Sequence, residues 1–119
     1  MSSKLLVYGA TGFVGGHIAR AAIGSGVPTI LAGRDRAKLD PVAADLGAER
    51  RAFGLADAGA IQAALSAVGA VLNCAGPFSR TAEPLAAACL RAGVPYLDIT
   101  GEIPVFEALQ AREIGRAHV

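Results

Sequence analysis

Residues 5–19, LLVYGATGFVGGHIA, decide the fold of this chain. A short apolar run ends at Gly9, further glycines stand at positions 12 and 15, and an alanine-rich helical pattern begins at once. A strand, a glycine turn and a helix in this order form the context in which a glycine triplet indicates a dinucleotide site. The spacing alone leaves a second interpretation open, a glycine-rich turn that binds nothing.

The residue types in this turn suit a bound pyrophosphate. Gly9 permits a tight turn off the strand, Gly12 lets the backbone approach the anion, and Gly15 lets the helix pack closely on the strand. The unpaired N–H groups of the first helical turn carry a partial positive charge. We therefore predict a cofactor-binding turn made of Gly9, Ala10, Thr11, Gly12, Phe13, Val14 and Gly15.

Length, charge and cysteine content exclude several classes of protein. The 119 residues suffice for one domain, and a net charge of +1 offers no electrostatic basis for binding nucleic acid or an anionic membrane. No apolar run approaches the roughly 18 residues of a transmembrane helix, and the amino terminus lacks a signal-peptide pattern. Cys74 and Cys89 are too few for a disulfide framework and have no partners suited to a metal site. We expect a cytoplasmic, reduced protein without a bound metal.

Strands and helices alternate along the chain. Apolar runs predict strands over 5–8, 29–32, 50–53, 70–73 and 96–99. Capping residues and helical patterns predict helices from residue 12 or 13 to 23, over 36–46 and 58–68, from Glu83-Pro84 to Gly93, and over 103–112. Asp57 is the predicted N-cap of the third of these helices. Pro41 either kinks the second helix or follows a new cap at Asp40. The alternation predicts a Rossmann-like α/β fold, a doubly wound parallel sheet of order 3-2-1-4-5 in three α/β/α layers.

The end of the second strand bears on the choice between NADP and NAD. NAD-selective enzymes usually place a carboxylate there to bind the ribose 2′-hydroxyl, whereas this sequence has Arg34. A guanidinium can pair with a 2′-phosphate and stack on adenine, which favours NADP. Asp35 keeps NAD possible, because it also falls in the window for a ribose-binding acid. We prefer Asp35 as the N-cap of the second helix.

The loop after the fourth strand is predicted to pass beside the ribose on the nicotinamide side. Ala75 and Gly76 are small enough for close approach of the backbone, and Asn73 and Cys74 could reach the cofactor with their side chains. For Cys74, a buried thiol packed in the sheet is the favoured alternative.

A polar group follows the fifth strand, where active-site residues collect in this architecture. Its members are Asp98, Thr100, Gly101 and Glu102. Thr100 or Glu102 could equally be a cap for the next helix. The catalytic residues therefore stay unassigned.

The combined motifs resemble the saccharopine dehydrogenase-like family. The resemblance covers residues 4–108 and rests on Gly9–Gly15, Ala32–Arg34, Asn73–Phe78 and Tyr96–Glu102. It implies the NAD(P)-binding domain of a nicotinamide-dependent oxidoreductase, followed in the family by a domain that binds a small-molecule substrate. The Cys-Ala-Gly-Pro-Phe and Asp-Ile-Thr-Gly-Glu forms resemble the members that act on lipid-like or unassigned substrates. The resemblance also implies that this chain alone binds cofactor without turning over substrate.

The last seven residues, Glu113–Val119, match the translation of a common sequencing-library adapter. We therefore expect residues 1–112 to form the NAD(P)-binding domain, 113–119 to be a non-native tail, and the substrate domain to be missing. An ordinary polar tail is the alternative. A sheet cut after its fifth strand would leave an apolar edge, which predicts self-association.

The sequence excludes one alternative function and leaves a second one open. Short-chain dehydrogenases share the glycine turn but use a Tyr and a Lys four residues later on one helix. The only tyrosines are Tyr8 and Tyr96 and the only lysines are Lys4 and Lys38, so no such pair exists. A non-enzymatic redox sensor that binds NADP would have the same signature over this length, and it stays open.

Overall fold

A computed structural model describes residues 4–76 and 78–99, apart from the side chains of residues 78 and 79. Strands and helices alternate as the sequence predicts. The strands are β1 (Leu5–Tyr8), β2 (Thr29–Gly33), β3 (Glu49–Ala52), β4 (Ala70–Asn73) and β5 (Tyr96–Asp98). The helices are α1 (Phe13–Gly24), α2 (Arg36–Leu46), α3 (Ala58–Ala64) and α4 (Phe78–Ala92).

The five strands form one parallel sheet in the order β3-β2-β1-β4-β5, which confirms the predicted topology. In the register of the sheet, Tyr8 lies beside Ala32 on one side and beside Asn73 on the other, and Asn73 lies beside Asp98. The carboxyl ends of the central strands therefore meet at one edge. The chain turns from β1 toward β2 on one side and later places β4 on the other, so the topological switch point lies between β1 and β4.

The sheet separates two apolar cores, because successive side chains of a strand point to opposite faces. On one face, Leu6 and Ile30 pack with residues of α3 and α4, including Ile61 and Leu85. On the other face, the core consists of Val7, Ala10, Ala19, Leu31, Leu39 and Ala43. Helices thus cover both faces, and the buried strands β1 and β2 hold the turns that follow them in place.

Two aspartates begin helices as the sequence predicts. The carboxylate of Asp35 accepts hydrogen bonds from the backbone N–H groups of Ala37 (3.0 Å) and Lys38 (3.3 Å). Asp57 accepts from Gly59 (2.9 Å) and Ala60 (3.2 Å) in the same way. Each side chain satisfies N–H groups that have no partner within their own helix.

Helix α3 ends at Ala64, four residues before the predicted end at Val68. The Arg51 guanidinium accounts for the difference. It donates to the carbonyl oxygen of Ala64 (2.8 Å), which a helix continuing to Val68 would pair with the Val68 N–H, and to that of Ser66 (2.6 Å). Ala67 then adopts a left-handed φ of 61°, and Val68 turns into the core. A long-range side chain therefore ends this helix.

Helix α4 begins at Phe78, so the predicted start at Glu83-Pro84 is wrong. Pro84 lies inside the helix and removes one backbone hydrogen bond. The turn before it is held by tertiary contacts: Ala82 is buried, and the Thr81 hydroxyl donates to the carbonyl oxygen of Ala75. Helix α2 likewise runs through Pro41 without a new start at Asp40.

Some sequence predictions lie outside the described residues. They are the helix over 103–112, the site residues Thr100, Gly101 and Glu102, and the tail 113–119. Within the described part, no helix is long and apolar enough to cross a membrane. Among the same residues, no three His, Cys, Asp or Glu side chains are grouped so as to hold a metal ion.

Candidate functional site

The glycine turn lies at the carboxyl end of β1 and is held to β2. The N–H groups of Gly9 and Ala10 both donate to the carbonyl oxygen of Ala32, at 2.9 and 3.1 Å. Gly9 has a φ of +85°, which side-chain-bearing residues rarely adopt, and the Gly12 N–H closes the turn by donating to the Gly9 carbonyl at 3.0 Å. The turn therefore has one defined shape.

Gly15 is required for the contact between α1 and this turn. A Cβ atom at Gly15 would overlap the Gly9 carbonyl oxygen and lie 2.9 Å from its carbon, and it would lie 3.2 Å from the Cβ of Cys74. A Cβ at Gly12 would meet the Gly9 oxygen at 3.3 Å. The helix thus starts directly against the backbone of the turn, as expected for the third glycine of a dinucleotide site.

The amino-terminal turn of α1 is open. Its N-cap is Gly12, no side chain caps it, and no acidic residue lies in the first turn. Thr11, Gly12, Phe13 and Val14 are all exposed there. Because no side chain caps its N–H groups, this turn can meet an anion through its backbone, and the helix dipole favours negative charge at this end.

Arg34 follows β2 at the same edge of the sheet and is exposed. Its charge acts on the neighbouring Tyr8 hydroxyl: burial raises the pKa of Tyr8, and Arg34 opposes that effect. The Tyr8 hydroxyl donates to the Phe53 carbonyl oxygen at 3.0 Å. Asp35 is engaged with the N–H groups of α2, as described above, so its carboxylate serves as the cap of that helix.

The loop after β4 lies against the glycine turn. The Cys74 N–H donates to the Tyr8 carbonyl oxygen at 2.8 Å, which extends the β1–β4 pairing by one step. A Cβ at Gly9 would lie 2.7 Å from the nitrogen and 2.9 Å from the Cα of Ala75. The two predicted cofactor loops are therefore in backbone contact at the switch point, where sheets of this kind form the crevice that binds their ligand.

Asn73 is fully buried at the end of β4 and connects this loop to its surroundings. Its side-chain oxygen accepts from the Ala75 N–H at 3.0 Å, and its amide nitrogen donates to Thr81 Oγ1 at 2.9 Å and Tyr96 Oη at 3.1 Å. The Tyr96 hydroxyl in turn donates to Asp98 Oδ2 at 3.2 Å. Burial raises the pKa of Tyr96, so the hydroxyl stays protonated and serves as the donor.

The structure brings most of the predicted site residues together. The glycine turn, Arg34 and the loop 73–76 share the carboxyl edge of the sheet, with Asp98 beside Asn73. The sequence predicts that the Asn73 side chain could reach the cofactor, whereas in the structure both its oxygen and its nitrogen are hydrogen-bonded to protein groups. Thr81 was missed in the sequence, since nothing near it in the chain signals its contact with residues 73 and 75.

The Cys74 thiol is half-buried beside the glycine turn and packs against the core on that face. Burial raises the pKa of Cys74 to about 11 from an ordinary value of 9.0. The thiol therefore remains protonated at neutral pH, as a packed cysteine does and a reactive one does not.

We expect Cys74 to react with iodoacetamide at about pH 8 at least tenfold more slowly than a cysteine in a short peptide. The raised pKa lowers the thiolate fraction about a hundredfold, and the higher nucleophilicity of a more basic thiolate recovers about tenfold of that. Because the thiolate fraction grows until pH reaches the pKa, the rate should still rise steeply up to about pH 11. Mass-spectrometric time courses measure this, with Cys74→Ala reporting the reaction of the buried Cys89. Labelling at the peptide rate would contradict the expectation.

The family described as the saccharopine dehydrogenase NADP binding domain matches residues 5–116. A trans-acting enoyl reductase from Mycobacterium tuberculosis is 38% identical in an alignment of 108 positions, which covers 83% of this chain and 25% of that protein. The chain thus spans about a quarter of the length of the curated relatives it matches.

Solved structures show the same architecture. Triphenylmethane reductase from Citrobacter sp., complexed with NADP(H), has a TM-score of 0.64 and 27% identity over 76% of this chain and 34% of that one. Saccharopine dehydrogenase (L-Glu forming) from Saccharomyces cerevisiae has a TM-score of 0.76 over 91% of this chain and 24% of that one, and at 17% identity it shows the fold alone. Because the family match includes every strand and helix of the described fold, the chain belongs to the saccharopine dehydrogenase NADP binding domain family.

Proposed function

We propose that this chain binds NADP(H) as the cofactor domain of a longer reductase. The observation that carries the proposal is the crevice between β1 and β4, where a glycine turn, an uncapped helix and a close-fitting loop meet. The turn fits a dinucleotide, because its glycines let α1 and the loop after β4 pack directly against it, while no side chain caps the first turn of α1. When bound, NADP(H) supplies the hydride for reduction.

Each element of the crevice has a proposed part in binding. The turn from Gly9 to Gly15 and the first turn of α1 hold the pyrophosphate through backbone N–H groups. The loop from Asn73 to Gly76 supports the nicotinamide side. Of these residues, Phe13 and Val14 expose apolar surface at the mouth of the site, with Phe13 at 83% exposure.

NADP is the proposed cofactor in preference to NAD. Arg34 is exposed at the end of β2, where a 2′-phosphate on the adenine ribose would come within reach of its guanidinium. The competing assignment used Asp35 as the acid that binds a free 2′-hydroxyl. Its carboxylate already accepts two N–H groups of α2, which favours the cap role and leaves Arg34 as the residue facing the ribose.

The substrate side of the reaction is proposed to reside elsewhere in a longer protein. The chain spans about a quarter of its relatives, one of which is named as an enoyl reductase. We assign residues 1–112 to the cofactor domain and place the substrate in a further domain that closes over the nicotinamide. An activated carbon–carbon double bond is the substrate class that this relative's name favours. The chain alone should bind cofactor without turnover.

Thermal unfolding of the full chain with and without NADPH tests the proposal. A ligand present at a hundred times its dissociation constant stabilises the native state by about 2.7 kcal/mol. For a domain of this size that corresponds to a rise in Tm of roughly 8–15 °C. The control is adenosine, which lacks the phosphates and should not raise Tm. An unchanged Tm at millimolar NADPH would overturn the proposed function.

A further inference from the structure

The amide group of Asn73 has a unique orientation. Its oxygen must face the Ala75 N–H, because that group can only donate. Its nitrogen faces two hydroxyl oxygens, Thr81 Oγ1 and Tyr96 Oη, and each of these hydroxyls donates its own proton elsewhere. Each hydroxyl therefore accepts from the Asn73 amide and donates to a different oxygen. Replacing either hydroxyl would remove a hydrogen-bond acceptor from a fully buried amide.

The same network holds the backbone of Ala75 at both its N–H and its carbonyl group. The Ala75 N–H donates to the Asn73 side chain at 3.0 Å, and the Ala75 carbonyl oxygen accepts from Thr81 at 2.8 Å. The peptide group between Cys74 and Ala75 lies directly against Gly9, with no room for a Cβ atom between them. Three elements thus contribute side chains to this network: Asn73 belongs to β4, Thr81 to α4 and Tyr96 to β5.

We propose that Thr81 and Tyr96 are positioning residues that hold the Ala75 backbone where it meets the nicotinamide half of the dinucleotide. Tyr96 acts through Asn73, and Thr81 acts both through Asn73 and by its own hydrogen bond to the Ala75 carbonyl oxygen. The inference rests on the proposed function and deepens it. Neither hydroxyl needs to touch the cofactor, since both act on the loop that does. The adenine half lies over the other side of the sheet, beside β2 and Arg34, and does not depend on these hydrogen bonds.

Two ligands separate the halves of the site. NADPH uses both halves, whereas adenosine 2′,5′-bisphosphate contains only the adenine half and its 2′-phosphate. Isothermal titration of the full chain gives both dissociation constants, and the emission of the nicotinamide ring reports its surroundings directly. The test variants are Thr81→Val and Tyr96→Phe, each of which removes one hydroxyl with little change of shape.

Thr29→Val is the matched control. The Thr29 hydroxyl also donates to a backbone carbonyl oxygen at 2.8 Å, that of Val27, but at the amino end of β2, away from the site. Thr81→Ser is the conservative variant that keeps the donor. Thermal unfolding of each variant measures the general loss of stability that a buried hydroxyl causes wherever it lies.

We expect Thr81→Val and Tyr96→Phe to weaken NADPH binding about tenfold or more and to change the emission of bound NADPH. Binding of adenosine 2′,5′-bisphosphate should stay within about twofold of the wild type. Thr29→Val should alter neither ligand, and Thr81→Ser should restore NADPH binding and its emission.

Three results would overturn the inference. Equal weakening of both ligands would show a general effect on the fold, and unchanged NADPH binding would show that the hydroxyls do not act on the cofactor. Loss of binding in Thr81→Ser would exclude the hydroxyl as the responsible group. A wild-type chain that binds neither ligand would instead overturn the proposed function itself, and this inference with it.

Discussion

Gly15→Ala is expected to destabilise the chain by about 3 kcal/mol and to abolish measurable NADPH binding. The added Cβ would overlap the Gly9 carbonyl oxygen, which is backbone in a turn that β2 holds through two hydrogen bonds. The same added Cβ would also lie 3.2 Å from the Cβ of Cys74. The helix must therefore move away from the turn, and the N–H groups that should meet the pyrophosphate move with it.

Denaturant unfolding and NADPH titration measure the two effects. Gly24→Ala is the matched control, because Gly24 ends the same helix and a Cβ there would meet no atom within 4 Å. That variant should be neutral or more stable by up to about 1 kcal/mol, since alanine favours a helix over glycine. If Gly15→Ala were as stable as Gly24→Ala, the close contact between α1 and the glycine turn would be refuted.

Arg34→Gln is expected to weaken NADPH binding about ten- to a hundredfold and to leave NADH binding unchanged. A hydrogen bond to a charged group contributes roughly 1.5–3 kcal/mol, and that range converts to this loss of affinity. NADH lacks the 2′-phosphate, so the variant should bring the two dissociation constants close together. Titration of both cofactors against both proteins gives the comparison.

The control for Arg34 must remove the same charge elsewhere. Arg91→Gln does so in the last turn of α4, the turn that leads to the amino end of β5 and lies far from the crevice. It should leave the preference for NADPH intact, with at most a small loss from long-range electrostatics. If the wild type bound NADH more tightly than NADPH, Arg34 would not bind the 2′-phosphate, and Asp35 would be the better candidate for binding the ribose 2′-hydroxyl.

The order of the sheet could be predicted from the sequence because its determinants are local and periodic. Short apolar runs, glycines after strands and aspartates before helices each act within a few residues. Among the arrangements with right-handed crossovers, the glycine turn of a dinucleotide site then favours the order 3-2-1-4-5. The glycine turn after β1 and the position of Arg34 after β2 could be predicted in the same way, because each is defined by the strand that precedes it. Asp35 and Asp57 were predicted as caps on the same basis, and both accept the expected N–H groups.

Tertiary structure decided the features that depend on residues distant in the chain. Arg51 ends α3 by donating a hydrogen bond to the carbonyl oxygen of its last residue, Ala64. The burial of Ala82 and the hydrogen bond of Thr81 stabilise the turn of α4 that precedes Pro84. The sequence near these residues contains no pattern that indicates which distant residue they contact, so their conformation could not be predicted. Asn73 is the clearest case: its place at the end of β4 follows from the sequence, but its bonds to α4 and β5 exist only once three elements have packed together.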